Sequence, residues 1–150
     1  MIRLFLLFWV TLFPLYAQQT AKCDRCTIGK EFMRCSYYVE KKGDLSKQKS
    51  CLLYADSLFT GESPGRASWF YIVGGDFDKA IEAANIALKR GSIFALEHLG
   101  EAYILKGEQN KAQKYFYELK KSDFRNDPII TKHFETLQKL YPEKFKLKSL

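Results

Sequence analysis

The residues with the most chemical potential in this 150-residue chain are four cysteines: Cys23, Cys26, Cys35 and Cys51. A thiolate can be a nucleophile, a metal ligand or half of a disulfide, and spacing and compartment decide among these. Cys23 and Cys26 form a C-x-x-C. A thioredoxin-type centre activates its first thiol at a helix start after a strand, and no strand pattern precedes this pair. Haem attachment needs a histidine directly after the second cysteine, where Thr27 stands. A four-cysteine zinc site suits a reducing compartment rather than an exported chain. The two histidines, His98 and His133, lie in no metal-ligand spacing such as H-E-x-x-H and read as surface or edge residues. No G-x-S-x-G, Walker-type loop or dinucleotide fingerprint is present. The expectation is a protein that is not an enzyme, with no catalytic residue, no metal ligand and no cofactor.

Export is read from the N-terminus, MIRLFLLFWVTLFPLYAQQT. Arg3 is followed by a nearly unbroken apolar run from Leu4 to Ala17 and then by Gln18 and Gln19. This is the layout of a secretory signal peptide cleaved after Ala17. The run is shorter than the roughly 20 residues of a membrane-spanning helix, and Pro14 interrupts it. A secreted or periplasmic location is therefore expected, with no stable membrane insertion after cleavage. The formal net charge is +7. Its excess gathers at Lys139, Lys144, Lys146 and Lys148, read as a solvated tail, and no nucleic-acid motif accompanies it.

The elements that position these residues are helices. Gly43, Gly75 and Gly107 are each 32 residues from the next, followed by an acid at Asp44, Asp76 and Glu108 and by Lys47, Lys79 and Lys111. A fixed period of this size marks stacked supersecondary units. Helix patterns cover about Glu31–Lys42, Leu45–Phe59, Pro64–Val73, Phe77–Arg90, Ile93–Lys106, Gln109–Lys121 and Pro128–Leu140, with Asp76 and Ser92 as N-caps. Short turns make sequence neighbours antiparallel hairpins, and the seventh helix is expected to cover the last open face. The division is a signal peptide at 1–17, a cysteine-containing lead-in at 18–30, a repeat domain at 31–141 and a basic tail at 142–150.

On that framework one cysteine pairing follows from geometry. Cys35 lies eight residues before Gly43 and Cys51 eight after it. At about 1.5 Å rise per residue both stand at one height on antiparallel helices. A Cys35–Cys51 disulfide is expected, leaving Cys23 and Cys26 to pair; four cysteines allow two other connectivities, which stay open.

The run Leu99-Gly100, Tyr103, Gly107, Ala112, Phe116 resembles the tetratricopeptide repeat (TPR), as does Ala67-Ser68, Tyr71, Gly75, Ala80, Ala87 one unit earlier. The usual period is 34. The first unit departs most, with Cys35-Ser36, Val39 and Gln48 at motif positions and Ala55 fitting. The resemblance covers about residues 29–124, and the chain is also similar to the longer Sel-one-like repeats. It implies an all-α solenoid of about three helix-turn-helix repeats plus a C-terminal capping helix. Ser68, Ala80, Gly100 and Ala112 would let helices approach, and Tyr71 and Tyr103 would fill the space between hairpins.

The resemblance also implies a concave groove that holds a peptide or protein. By register its lining is Tyr37 and Lys41 on the first helix, Trp69 and Val73 on the third, and Glu97 and Glu101 on the fifth. Trp69 and Tyr37 would be anchors; Lys41, Glu97 and Glu101 would set charge preference. A helical phase error of one residue would instead bury Trp69, Ile72 and Val73. The expected function is an exported protein–protein interaction module. Two alternatives are a periplasmic thiol-redox or chaperone protein using Cys23 and Cys26, and an inhibitor or immunity protein for a secreted enzyme.

Overall fold

The computed structural model describes residues 26–126 and 128–145, and among them every element is helical. The expected signal peptide, Cys23 and the end of the basic tail lie outside the described residues. No described helix is long and apolar enough to cross a membrane.

Helix α1 comprises residues 26–34 and continues as a π-helical stretch, Cys35–Lys41. Its start lies inside the expected lead-in. A 3-10 turn at Leu45–Lys47 leads into α2, Gln48–Thr60. Helix α3 is Pro64–Gly74, with the proline in the first turn, where its missing N–H costs nothing. Then follow α4 (Phe77–Lys89), α5 (Ala95–Leu105), α6 (Gln109–Lys120), a 3-10 turn (Asp123–Asn126) and α7 (Pro128–Leu140). Asp76 caps α4, accepting from the Lys79 N–H at 3.1 Å. Ser92 does not cap α5, whose N-cap position is Phe94.

The periodic glycines share one backbone state: φ is +75° at Gly43, +85° at Gly75 and +81° at Gly107. A side chain disfavours this left-handed conformation, and glycine ends a helix in it without strain. Consecutive helices from α2 to α6 pack on one another, and α3 also packs on α5. These two are the most enclosed: α3 buries Pro64 and every residue from Ala67 to Gly74, and α5 buries all but Leu96 and Tyr103. Ser68, Ala80, Gly100, Ala112 and Tyr71 are buried as expected, while Tyr103 is partly exposed and stacks on Tyr115.

Cys35 and Cys51 form a disulfide joining α1 to α2, with their Cα atoms 4.8 Å apart. The equal-height argument about Gly43 is borne out. Cys26 is exposed and makes no disulfide among the described residues.

Close packing depends on two further glycines. A Cβ on Gly74 would stand 2.5 Å from Leu52 Cδ2, and one on Gly100 would stand 2.6 Å from Cζ of the Phe116 ring. The ring lies over Gly100, so relief requires α6 to move. Gly100→Ala is expected to destabilise the fold by about 1–2 kcal/mol despite its better helix propensity. Urea unfolding checks this; a gain in stability would show that α6 yields freely.

Candidate functional site

Helix α7 has an apolar stripe of Ile130, Phe134, Leu137 and Leu140, three of them buried. The sequence reading placed this helix over the last open face of a stack. It lies against α1, α3 and α5, and its Phe134 meets Phe116 of α6. Lys139 Nζ donates to the Glu40 and Lys41 carbonyls at 3.0 and 3.4 Å, at the C-terminal end of α1, where a cation is favoured. Beyond α7, the Tyr141 hydroxyl donates to the Ile72 carbonyl at 3.0 Å and accepts from Gln48 Nε2 at 2.7 Å. Burial pushes that hydroxyl up to about 12. Phe145, assigned to a solvated tail, is buried against Phe134.

This arrangement separates the residues expected to line a groove. Tyr37 and Lys41 are exposed on α1. Trp69, Val73, Glu97 and Glu101 are buried. Their expected exposure is corrected: α7 lays His133 against both Trp69 and Glu97 on the face that register left open. Trp69 stacks on His133 of α7 with ring centroids 3.7 Å apart, and its indole N–H donates to Glu40 Oε1 at 2.8 Å.

Under α7 lies a polar cluster inside an otherwise apolar core. Glu97 and Glu101, one turn apart on α5, are both 0% exposed. Glu97 Oε1 is 2.9 Å from His133 Nδ1. Glu97 Oε2 and both oxygens of Glu101 meet no donor among the described residues. The two carboxyls can bond each other only by sharing a proton. Burial, and then the neighbouring Glu97 charge, hold the Glu101 carboxyl well above the usual carboxylate range.

His98 is also buried and completes the cluster. The Ser68 hydroxyl lies 2.8 Å from the Gly65 carbonyl and 2.6 Å from His98 Nδ1 and bridges the two. When the hydroxyl donates to Gly65, Nδ1 carries the imidazole proton and Nε2 keeps its lone pair. Burial, and then His133 nearby, push the His98 imidazole down to about 3. It is neutral at any ordinary pH.

The surface or edge assignment is therefore corrected for His98, while His133 is partly buried at the edge of the cluster; what sequence reasoning missed is that the two meet. Part of the signal was local: Glu97, His98 and Glu101 are the polar residues of the segment ALEHLGEAYIL. His133 lies 36 residues from Glu97 in sequence, and no short motif joins them.

Two clefts flank the Trp69–His133 stack. One, of about 470 Å³, is lined by Arg66, Trp69, Phe94, Glu97, His98 and His133. The other, of about 640 Å³, lies between α1 and α7 and is lined by Glu40, Lys41, Lys132, Glu135 and Lys139 beside the same stack. Comparison with protein-family models, curated proteins and solved structures finds no match.

Proposed function

We propose that the chain is an exported interaction module, built as a TPR-like solenoid, that docks a protein or peptide segment along the α1–α7 cleft. The observation that carries this reading is the cleft beside Lys41, with Tyr37 next to it. Tyr37 is 44% exposed and Lys41 Nζ lies 5.7 Å from its ring centroid. Tyr38 meets Tyr37 edge-on at 5.1 Å, and Met33, one turn earlier, is 63% exposed. Tyrosine is among the residue types that most often dominate binding energy at interfaces.

The repeat assignment is supported by three glycines at one spacing in one backbone state. Export is supported by the N-terminal apolar run and by the Cys35–Cys51 bridge, since disulfides persist in oxidising compartments. The groove that register assigned to Trp69 and Glu97 is occupied by α7, so the docking surface moves to the cleft between α1 and α7.

Site-specific photo-crosslinking tests this reading. A photoreactive phenylalanine at Tyr37 is expected to capture a discrete partner in the exported fraction. The same group at Tyr117, 60% exposed on α6, is expected to capture none. Tyr37→Ala should weaken the captured complex by roughly 30-fold, as loss of an aromatic anchor does. Equal capture at both positions, or unchanged affinity in Tyr37→Ala, refutes the assignment.

A further inference from the structure

We infer that the cluster beneath α7 is a binding site for one divalent first-row transition-metal ion, ligated by Glu97, His98 and His133. One potential ligand atom from each residue lies within 4.8 Å of the others. Ligand atoms around a tetrahedral zinc stand about 3.4 Å apart, given bonds of about 2.0–2.1 Å, so side-chain rotation must close the set by up to about 1.4 Å on binding. Two imidazoles and a carboxylate are the donors such ions take, whereas calcium and magnesium prefer oxygen ligands throughout.

Each donor is prepared for a cation. His98 Nδ1 lies 2.6 Å from the Ser68 hydroxyl, so Nε2 is the ring nitrogen left to ligate. A hydrogen-bond partner behind the ring in this way orients a ligating imidazole. His133 is held by the face of Trp69 and by Glu97. Glu97 Oε2 is fully buried without a donor. No lysine or arginine among the described residues pairs with Glu97 or Glu101. A buried carboxylate without a partner costs several kcal/mol, a cost that a cation bound among these side chains would relieve. The cleft beside Trp69 reaches all three ligands and gives the ion a route in.

The ligands come from α5 and α7, with Ser68 on α3 supporting one of them. Bound metal would therefore pin α7 to the helices it crosses. This inference does not rest on the docking surface, and either reading can fail without the other.

The test is Zn2+ binding by untagged protein with free thiols alkylated, so that neither Cys26 nor a histidine tag supplies ligands. Equilibrium dialysis should show one Zn2+ per chain, and Zn2+ should raise the unfolding midpoint. Glu97→Gln and His98→Ala should each weaken binding at least tenfold and abolish that rise. Co2+ should give visible bands without thiolate charge transfer and should quench Trp69. If His98→Ala does not fold, the nearly isosteric Glu97→Gln decides. Absence of stoichiometric binding, or full affinity in Glu97→Gln, overturns the site.

Discussion

Glu101→Gln is expected to make the metal-free protein more stable, by an amount that grows with pH. Glu101 is fully buried with both oxygens unmatched, and its carboxyl titrates well above the ordinary range because of burial and of Glu97. A carboxyl whose pKa is raised in the folded state holds a proton that the unfolded chain has already released. The stability contributed by that proton is present at low pH and is lost as pH rises through the folded value. Glutamine keeps the shape of the protonated acid, carries no charge, and its amide can donate to Glu97 Oε2. At pH 5 the variant should match the parent within about 1 kcal/mol; at pH 9 it should gain on the order of 3 kcal/mol, the scale of one unpaired buried ion. Urea denaturation at the two pH values measures both quantities. Equal destabilisation at both would mean that Glu101 meets a cationic partner in the folded protein.

Removing the Cys35–Cys51 bridge in a Cys35→Ala, Cys51→Ala double variant should cost about 3 kcal/mol, the chain-entropy value for a closed loop of this length. The bridge spans 16 residues and both cysteines are 0% exposed. Alanine leaves no buried thiol behind, so the loss reports the cross-link together with a small cavity. Gln48 stands where the same 32-residue register places the buried Ala80 and Ala112 on later helices. The prediction is read from the urea midpoint at constant slope. A loss below about 1 kcal/mol would mean that the denatured chain already holds these two helices together.

The helices and the bridge were legible because their determinants are local. Gly43, Gly75 and Gly107 punctuate the chain wherever they stand, and Cys35 and Cys51 are equidistant from one of them. The buried face of α3 was half legible: its small residues and Tyr71 are enclosed as expected, but Trp69 and Val73 are enclosed too. Nothing in the segment PGRASWFYIVG distinguishes a face that meets solvent from one that meets another helix. That choice belongs to α7, whose position depends on Lys139 reaching the end of α1 and Tyr141 reaching the end of α3. The same contact hid the polar cluster, because Glu97 and Glu101 look like solvent-facing acids until His133 is laid over them. Ser92 failed as a cap for a smaller reason: the chain makes one further turn before α5 begins.

The Lys139 contact joins residues 99 apart in sequence, and the bond from Gln48 to Tyr141 joins residues 93 apart. An array of repeats ordinarily folds by propagation between neighbours and tolerates additional units. Here α7 returns to α1, and Tyr141 beyond it returns to the start of α2 and the end of α3. Docking α7 on α1 closes a contact across 99 of the 150 residues, a high-contact-order event that local helix formation cannot hasten.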